Sequence, residues 1–369
     1  MRLFVMSAFL LAVVRTTVGI IAPSAVHRHD INASISPEFP MDANMAASIR
    51  SGMKDFVQKA SAASGGKRTS ILLHGDSTMS GLSYRIGEAL GTEPLYTYMS
   101  FRADIPVERA PEVPWQKHGD YKEIFLKIKE MFKVLEGCSS GGNLGGTFFV
   151  TGHMDGKLVK YMWAFSPENG YHACWDQCMT KAIAALEPSA VIVNQGLHLL
   201  HLHPGRPCNS GSYYNCGSYR DNVENILSSV RTVSPITLWK MTNWVCDAKY
   251  TKSWEDALHG WYDSSKRDAM ERTCRKECEG FSDSNPCADT LIDSQGTSKQ
   301  YEAATLAISK LKQAGGSGKS GRVGTVDAFS LTKNKCAYTK DARHFKQLDG
   351  QIALEAVKEL LAQAAPEDK

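Results

Sequence analysis

Residues Ser70–Ser80, "SILLHGDSTMS", decide how this chain is read. The apolar run Ile71-Leu72-Leu73 has the character of a buried strand, and it stops at Gly75-Asp76-Ser77. A helical pattern follows, clearest over Gly81–Leu90. Glycine permits a tight strand-to-helix turn, and a helix N-terminus offers unpaired backbone N–H groups. Two readings fit this turn. Asp76 or Ser77 caps the helix, a role both residue types favour, or Ser77 attacks a substrate whose developing charge those N–H groups stabilise.

Outward from the turn, apolar runs of strand length alternate with helical patterns. Ile71–Leu73, Leu95–Phe101, Thr147–Thr151, Val159–Phe165, Ala190–Asn194, Pro235–Met241 and Gly324–Phe329 read as strands. Helices are expected near Met45–Ala60, Gly81–Leu90, Tyr121–Leu135, Trp175–Leu186, Asp221–Val230, Tyr301–Gln313 and Leu348–Ala362. Short buried strands alternating with helices predict an α/β fold, a parallel sheet covered on both faces. Ligands of such sheets bind beyond the carboxyl ends of the strands.

The chain has 369 residues, 43% of them hydrophobic, enough for a sizeable core without metals or staples. A net charge of +3, with scattered Lys and Arg, gives no support to a nucleic-acid partner. The start reads as a targeting segment: Arg2, then the apolar run Phe4–Val14, then the small residues Thr16–Gly19. A spanning helix needs about 20 apolar residues, so a cleaved signal peptide over residues 1–19 is expected, with a signal anchor as its alternative. No stable membrane insertion follows unless that leader is an uncleaved anchor. The reading places the protein outside the cell or in the endoplasmic reticulum or Golgi lumen. Ten cysteines, an even number, suit a disulfide framework there, and Asn32-Ala33-Ser34 is a glycosylation acceptor. Which cysteines pair cannot be read from the spacing. Cys174-x-x-x-Cys178 and Cys274-x-x-x-Cys278 could hold zinc, but an oxidising lumen favours disulfides.

Two further motifs can complete a serine site. Asp341 and His344 are three residues apart, so the carboxylate can hold Nδ1–H of the imidazole while Nε2 serves as base for the serine. Taken alone they read as a cap and a surface histidine. Asn194 ends the apolar run Ala190–Val193 and can present an amide donor at the carboxyl edge of the sheet, where an oxyanion forms; its plainer reading is a turn residue. The run His198-Leu-Leu-His201-Leu-His203 could bind zinc, but no acidic ligand stands nearby, and His198 fits a substrate-cleft residue. Gly315–Gly321, "GGSGKSG", lacks the leading glycine and preceding strand of a phosphate loop and reads as a flexible connection. No metal or other cofactor is expected, and no coenzyme A site is visible.

Gly75-Asp76-Ser77, Asn194-Gln195-Gly196 and Asp341-x-x-His344, in this order over residues 70–362, resemble the blocks of the SGNH (GDSL-type) hydrolase and acyltransferase superfamily. Within it, Val159–Glu168, "VKYMWAFSPE", and Thr237–Thr242, "TLWKMT", are similar to segments of the trichome-birefringence-like, PC-esterase-like carbohydrate O-acetyltransferases and esterases. The resemblance implies a flavodoxin-like three-layer α/β/α fold with a mostly parallel sheet and cysteine-rich insertions. It implies Ser77 as nucleophile, His344 as base and Asp341 as its orienter. Asn194 and the Ser77 backbone N–H would be oxyanion donors, with Gly152 as the added glycine and Gly141, Gly142, Gly145 and Gly146 as competitors. The domain plan is then a leader over 1–19, an N-terminal arm and helix over 20–67, and an SGNH-like catalytic domain over 68–369, with insertions near 203–219 and 250–300. The expected activity is hydrolysis or transfer of an acyl group, acetyl foremost, on a carbohydrate through a Ser77 acyl-enzyme. The competing expectation is a non-enzymatic, disulfide-stapled carbohydrate-binding protein on the same fold.

Overall fold

The computed structural model describes residues 39–65, 70–75, 77–91, 99–100, 126, 130, 133–134, 145–146, 153–154, 157–158, 160–164, 177–196, 219–249, 294–314 and 321–365. Its centre is a sheet of five parallel strands: β1 (Ser70–His74), β2 (Lys160–Ala164), β3 (Pro188–Val193), β4 (Ile236–Lys240) and β5 (Arg322–Val326). Their spatial order is β2-β1-β3-β4-β5, so the chain steps from β1 to one side and then returns past it to the other. That is a doubly wound order, and the direction of winding reverses between β1 and β3. Residues 99–100 with 145–146, and 153–154 with 157–158, form two separate short antiparallel pairs.

Every residue of β3 and β4 is buried, as a sheet covered on both faces requires. One face presents Ile71 and Leu73 of β1, Ala190 and Ile192 of β3, and Ile236 and Leu238 of β4. Against them pack α1 (Ala43–Ala63), α2 (Ser77–Leu90) and α7 (Asp349–Ala364). Helix α1 starts where the Asp42 carboxylate accepts from the N–H groups of Asn44 and Met45, both at 3.0 Å. Its Ile49, Met53 and Phe56 form the stripe that enters the core. The opposite face carries the alternate residues, among them Trp239, whose ring meets Tyr219 edge-on at 6.5 Å. Tyr219 opens α4 (Tyr219–Val230), which lies beside α3 (Gln177–Ala184) and α5 (Ser294–Ala314).

Several boundaries differ from expectation, α2 beginning at Ser77 ahead of Gly81 among them, and two of the differences have a visible cause. The last strand stops at Val326 and does not run on to Phe329. The Asp327 side chain accepts from the Ser330 N–H at 3.0 Å and begins the short helix α6 (Ala328–Thr332). Helix α5 begins at Ser294, ahead of the expected Tyr301, because Asp247 takes both the backbone N–H and the hydroxyl of Ser294, at 2.8 and 2.6 Å. The leader and Asn32 lie outside the described residues, as do most of the helix expected at Tyr121–Leu135 and the strand at Thr147–Thr151. No helix among the described residues is long and apolar enough to cross a membrane.

Candidate active site

At the carboxyl end of β1 the chain turns at Gly75, and Ser77 is the first residue of α2. Asn194 follows β3 directly, and its backbone N–H donates to the His74 carbonyl at 2.8 Å, extending the pairing of β1 and β3 past their ends. The first and second motifs thus meet at the point where the winding reverses, which is where a crevice opens in doubly wound sheets. Gly75 is what permits this. A Cβ there would stand 3.0 Å from both Cβ and the carbonyl oxygen of Asn194, and 3.3 Å from Met79 Cβ. The close approach of the two segments favours glycine here.

The Asn194 side chain is buried, and Nδ2 donates to the Lys240 carbonyl at 2.9 Å, which fixes the amide across the ends of β3 and β4. One of its two N–H groups is committed there. The residues after it are held just as firmly. Gln195 accepts at its carbonyl from Tyr219 Oη and at Oε1 from Asn222 Nδ2, both at 2.8 Å, and the Gly196 carbonyl accepts from Gln300 Nε2 at 3.0 Å.

Asp341 and His344 form the bonded pair expected of them: Nδ1 of the imidazole lies 2.5 Å from Asp341 Oδ2. The other carboxylate oxygen accepts from the His344 N–H at 2.9 Å, the Arg343 N–H at 3.3 Å and the Thr339 hydroxyl at 3.3 Å. Ala342, between them, has a φ of 70°, and this left-handed turn lets one oxygen collect successive N–H groups. Burial pushes the Asp341 carboxyl up. The hydrogen bond and charge of His344, its backbone N–H and the Arg343 guanidinium outweigh that and hold the group well below the usual carboxylate range.

This loop is pinned from beneath. Ala342, Phe345 and Leu348 are buried with Val245 and Cys246, and the Cys246 N–H donates to the Ala342 carbonyl at 2.9 Å. Cys246 is joined to Cys336, tying the exit of β4 to the segment that leads into Asp341. On the other side Arg85 of α2 reaches the Lys346 carbonyl at 3.3 Å. The loop therefore lies along the helix that Ser77 opens.

The residues that connect these parts belong to none of the three sequence motifs. Lys240, the last residue of β4, is fully buried, and its ammonium donates to Thr78 Oγ1 at 2.9 Å and Asn243 Oδ1 at 3.1 Å. Asn243 Nδ2 then donates to the Arg343 carbonyl at 3.2 Å. The signal was present in "TLWKMT", a lysine closing an otherwise apolar strand. Asp349, at the start of α7, is also buried, with its carboxylate over Gly81, where a side chain would collide with it.

A cavity of about 410 Å³, lined by Lys59, Ser189, Ile236, Arg322 and Gln363 among others, opens at the amino ends of the strands, the edge opposite this chemistry. Asp76, Gly152 with its competitors Gly141 and Gly142, His198 and the rest of the His198–His203 run lie outside the described residues. Gly145 and Gly146 pair with Ser100 and Met99 in one of the short antiparallel pairs. Among the described residues no three His, Cys, Asp or Glu side chains gather as a metal site. In comparisons with known proteins, no family model, no curated protein and no solved structure matches this chain.

Proposed function

We propose that this protein is a serine-dependent acyl ester hydrolase or O-acyltransferase of the SGNH type, with a flavodoxin-like three-layer domain, acting on an acylated carbohydrate outside the cell or in the secretory lumen. The observation that carries the reading is the Asp341–His344 bond at 2.5 Å, in a loop tied to the first turn of the helix that Ser77 opens. The strand order supports it, because the Ser77 turn and Asn194 share the crevice at the reversal of winding.

In this reading His344 Nε2 takes the proton as Ser77 Oγ attacks the ester carbonyl. Asp341, held ionised by its surroundings, fixes the tautomer with Nδ1–H and stabilises the imidazolium. The second Asn194 amide N–H and the Ser77 backbone N–H receive the oxyanion. The intermediate collapses to the acyl-enzyme, and His344 returns its proton to the departing sugar oxygen. Water or a second hydroxyl then attacks with His344 again as base, so hydrolysis and transfer use the same residues. The choice of a carbohydrate ester, and of acetyl as the acyl group, comes from the resemblance of the motifs and of the two strand segments.

The test is acetate release from acetylated xylan, pectin and chitin oligomers and from an aryl acetate, by wild type and Ser77→Ala. Release that disappears in the variant is the expected result, and equal release by both proteins would overturn the assignment of Ser77.

A further inference from the structure

A lysine with no exposed surface at the end of a central strand needs a reason. Removing an ammonium from water costs several kcal/mol unless its N–H groups are met, and a leucine would close the strand without that cost. The partners of Lys240 suggest what the charge is for. Its Nζ donates to the hydroxyl of Thr78, the neighbour of Ser77, at 2.9 Å, and to the amide oxygen of Asn243 at 3.1 Å. Asn243 passes the connection on to the carbonyl of Arg343, the neighbour of His344, at 3.2 Å. The Lys240 backbone carbonyl holds the Asn194 amide at 2.9 Å. One residue thus reaches the three segments that carry the candidate nucleophile, base and oxyanion donor, and it does so from the end of a fully buried strand inside the sheet.

We infer that Lys240, acting with Asn243, is a positioning residue that sets the spacing between the Ser77 turn and the His344 loop through Thr78 and the Arg343 carbonyl. Asp341 orients the imidazole within its own loop, but nothing in that pair fixes the loop relative to α2. The Lys240–Asn243 bridge supplies that constraint at the end of α2 beside Ser77, and Arg85 adds a second tie farther along the helix through the Lys346 carbonyl. Its effect belongs to the reacting geometry, where displacement of about 1 Å costs on the order of 100-fold in rate. The inference rests on the serine-enzyme reading above.

The experiment uses the full chain. It measures the rate of Ser77 labelling by an aryl fluorophosphonate, kcat and KM for an aryl acetate, and the melting temperature. Asn243→Asp keeps the shape and the acceptor for Lys240 but removes the N–H given to Arg343. Asn243→Ala and the charge-balanced double variant Lys240→Met/Asp349→Asn cut the bridge in two other ways, so a folding failure in one leaves the others to decide. The expected result is a fall of about 10- to 100-fold in labelling rate and kcat, with KM within about two-fold of wild type. In a His344→Ala background the same changes should cost nothing further, which loss of general stability would not reproduce. Wild-type kcat in the folded variants, or an equal loss in the His344→Ala background, overturns the inference and leaves the Ser77 assignment standing. Absence of Ser77 labelling in wild type sinks the parent reading, and this inference with it.

Discussion

Gly75 and Asn194 touch across the ends of β1 and β3, so closely that a methyl group on the glycine would stand 3.0 Å from the asparagine's Cβ and 3.0 Å from its carbonyl oxygen. Both contacts are tighter than most that a Cβ makes in folded proteins, and one is to backbone already paired in the sheet, where Asn194 N–H meets the His74 carbonyl at 2.8 Å. Gly75→Ala therefore requires the turn before Ser77 and Asn194 to move apart by a few tenths of an ångström. We expect a loss of about 1–3 kcal/mol in stability, the usual range for overpacking, together with a fall in acetate release larger than that destabilisation explains. Chemical denaturation and the aryl acetate assay on one preparation check both. Wild-type values of both would mean that the approach of the two motifs is dispensable.

Asp341 offers a sharper separation of fold from chemistry. Asn at this position keeps an oxygen for the backbone N–H groups of Arg343 and His344 but loses the charge that faces Nδ1. For Asp341→Asn we expect kcat to fall about 1,000- to 10,000-fold with KM little changed, as when a triad histidine is left in the wrong tautomer. The carboxyl is held below its usual range, so its contribution to stability is in place above about pH 4 and is lost as the pH falls below that. Wild type should accordingly lose stability on acidification over that range more steeply than the variant. Parallel curves would show that the carboxylate is not stabilised by its partners.

Much of this was legible in the sequence, and the exceptions share a cause. Ile71–Leu73 of β1 and every residue of β3 and β4 are buried, and burial on both faces leaves a pattern that composition alone reveals. Asp341 and His344 were readable because their bond is local. The strand order, by contrast, depends on which side of β1 each crossover returns to, and nothing in the runs themselves encodes that. Asp327 reads as a strand residue until its bond to the Ser330 N–H is seen, and the start of α5 depends on Asp247, which is 47 residues away. Lys240 was missed for the same reason. Its partner Thr78 is 162 residues distant, so only the fold shows that a buried charge has somewhere to go.

The Cys246–Cys336 link closes a loop with a sequence separation of 90, directly beneath Asp341. Loss of such a cross-link costs about 2–5 kcal/mol. Local effects should exceed the global one here, since Cys246 also holds the Ala342 carbonyl and both cysteines pack in the small core that supports Phe345. For Cys246→Ala/Cys336→Ala we expect a lower melting temperature and faster amide exchange over residues 336–348, with exchange in β1 and β3 little changed below the melting range. Uniform acceleration across the whole sheet would show that the link stabilises the domain as a unit and has no particular role in holding the loop.

Asp349 provides a test of how charge is arranged beside this loop. Burial raises its carboxyl from an ordinary 3.8 to about 6, against the pull of Lys240, His344, Arg85 and Lys346. The sign follows from proton counting. Between about pH 4 and pH 6 the folded protein holds a proton on Asp349 that the unfolded chain has released, so stability falls as the pH rises through this window. The favourable contribution is complete below the unfolded value and gone above about 6. Asp349→Asn cannot titrate, and the stability of wild type relative to this variant should drop by on the order of 2–3 kcal/mol from pH 4 to pH 7. Denaturant unfolding of both proteins at pH 4, 5, 6 and 7 measures the difference directly, since titrations elsewhere cancel. If the two curves keep a constant separation, Asp349 ionises at its ordinary value and the pull of these four groups compensates its burial completely; a separation that grows with pH in favour of wild type would mean that they over-compensate it.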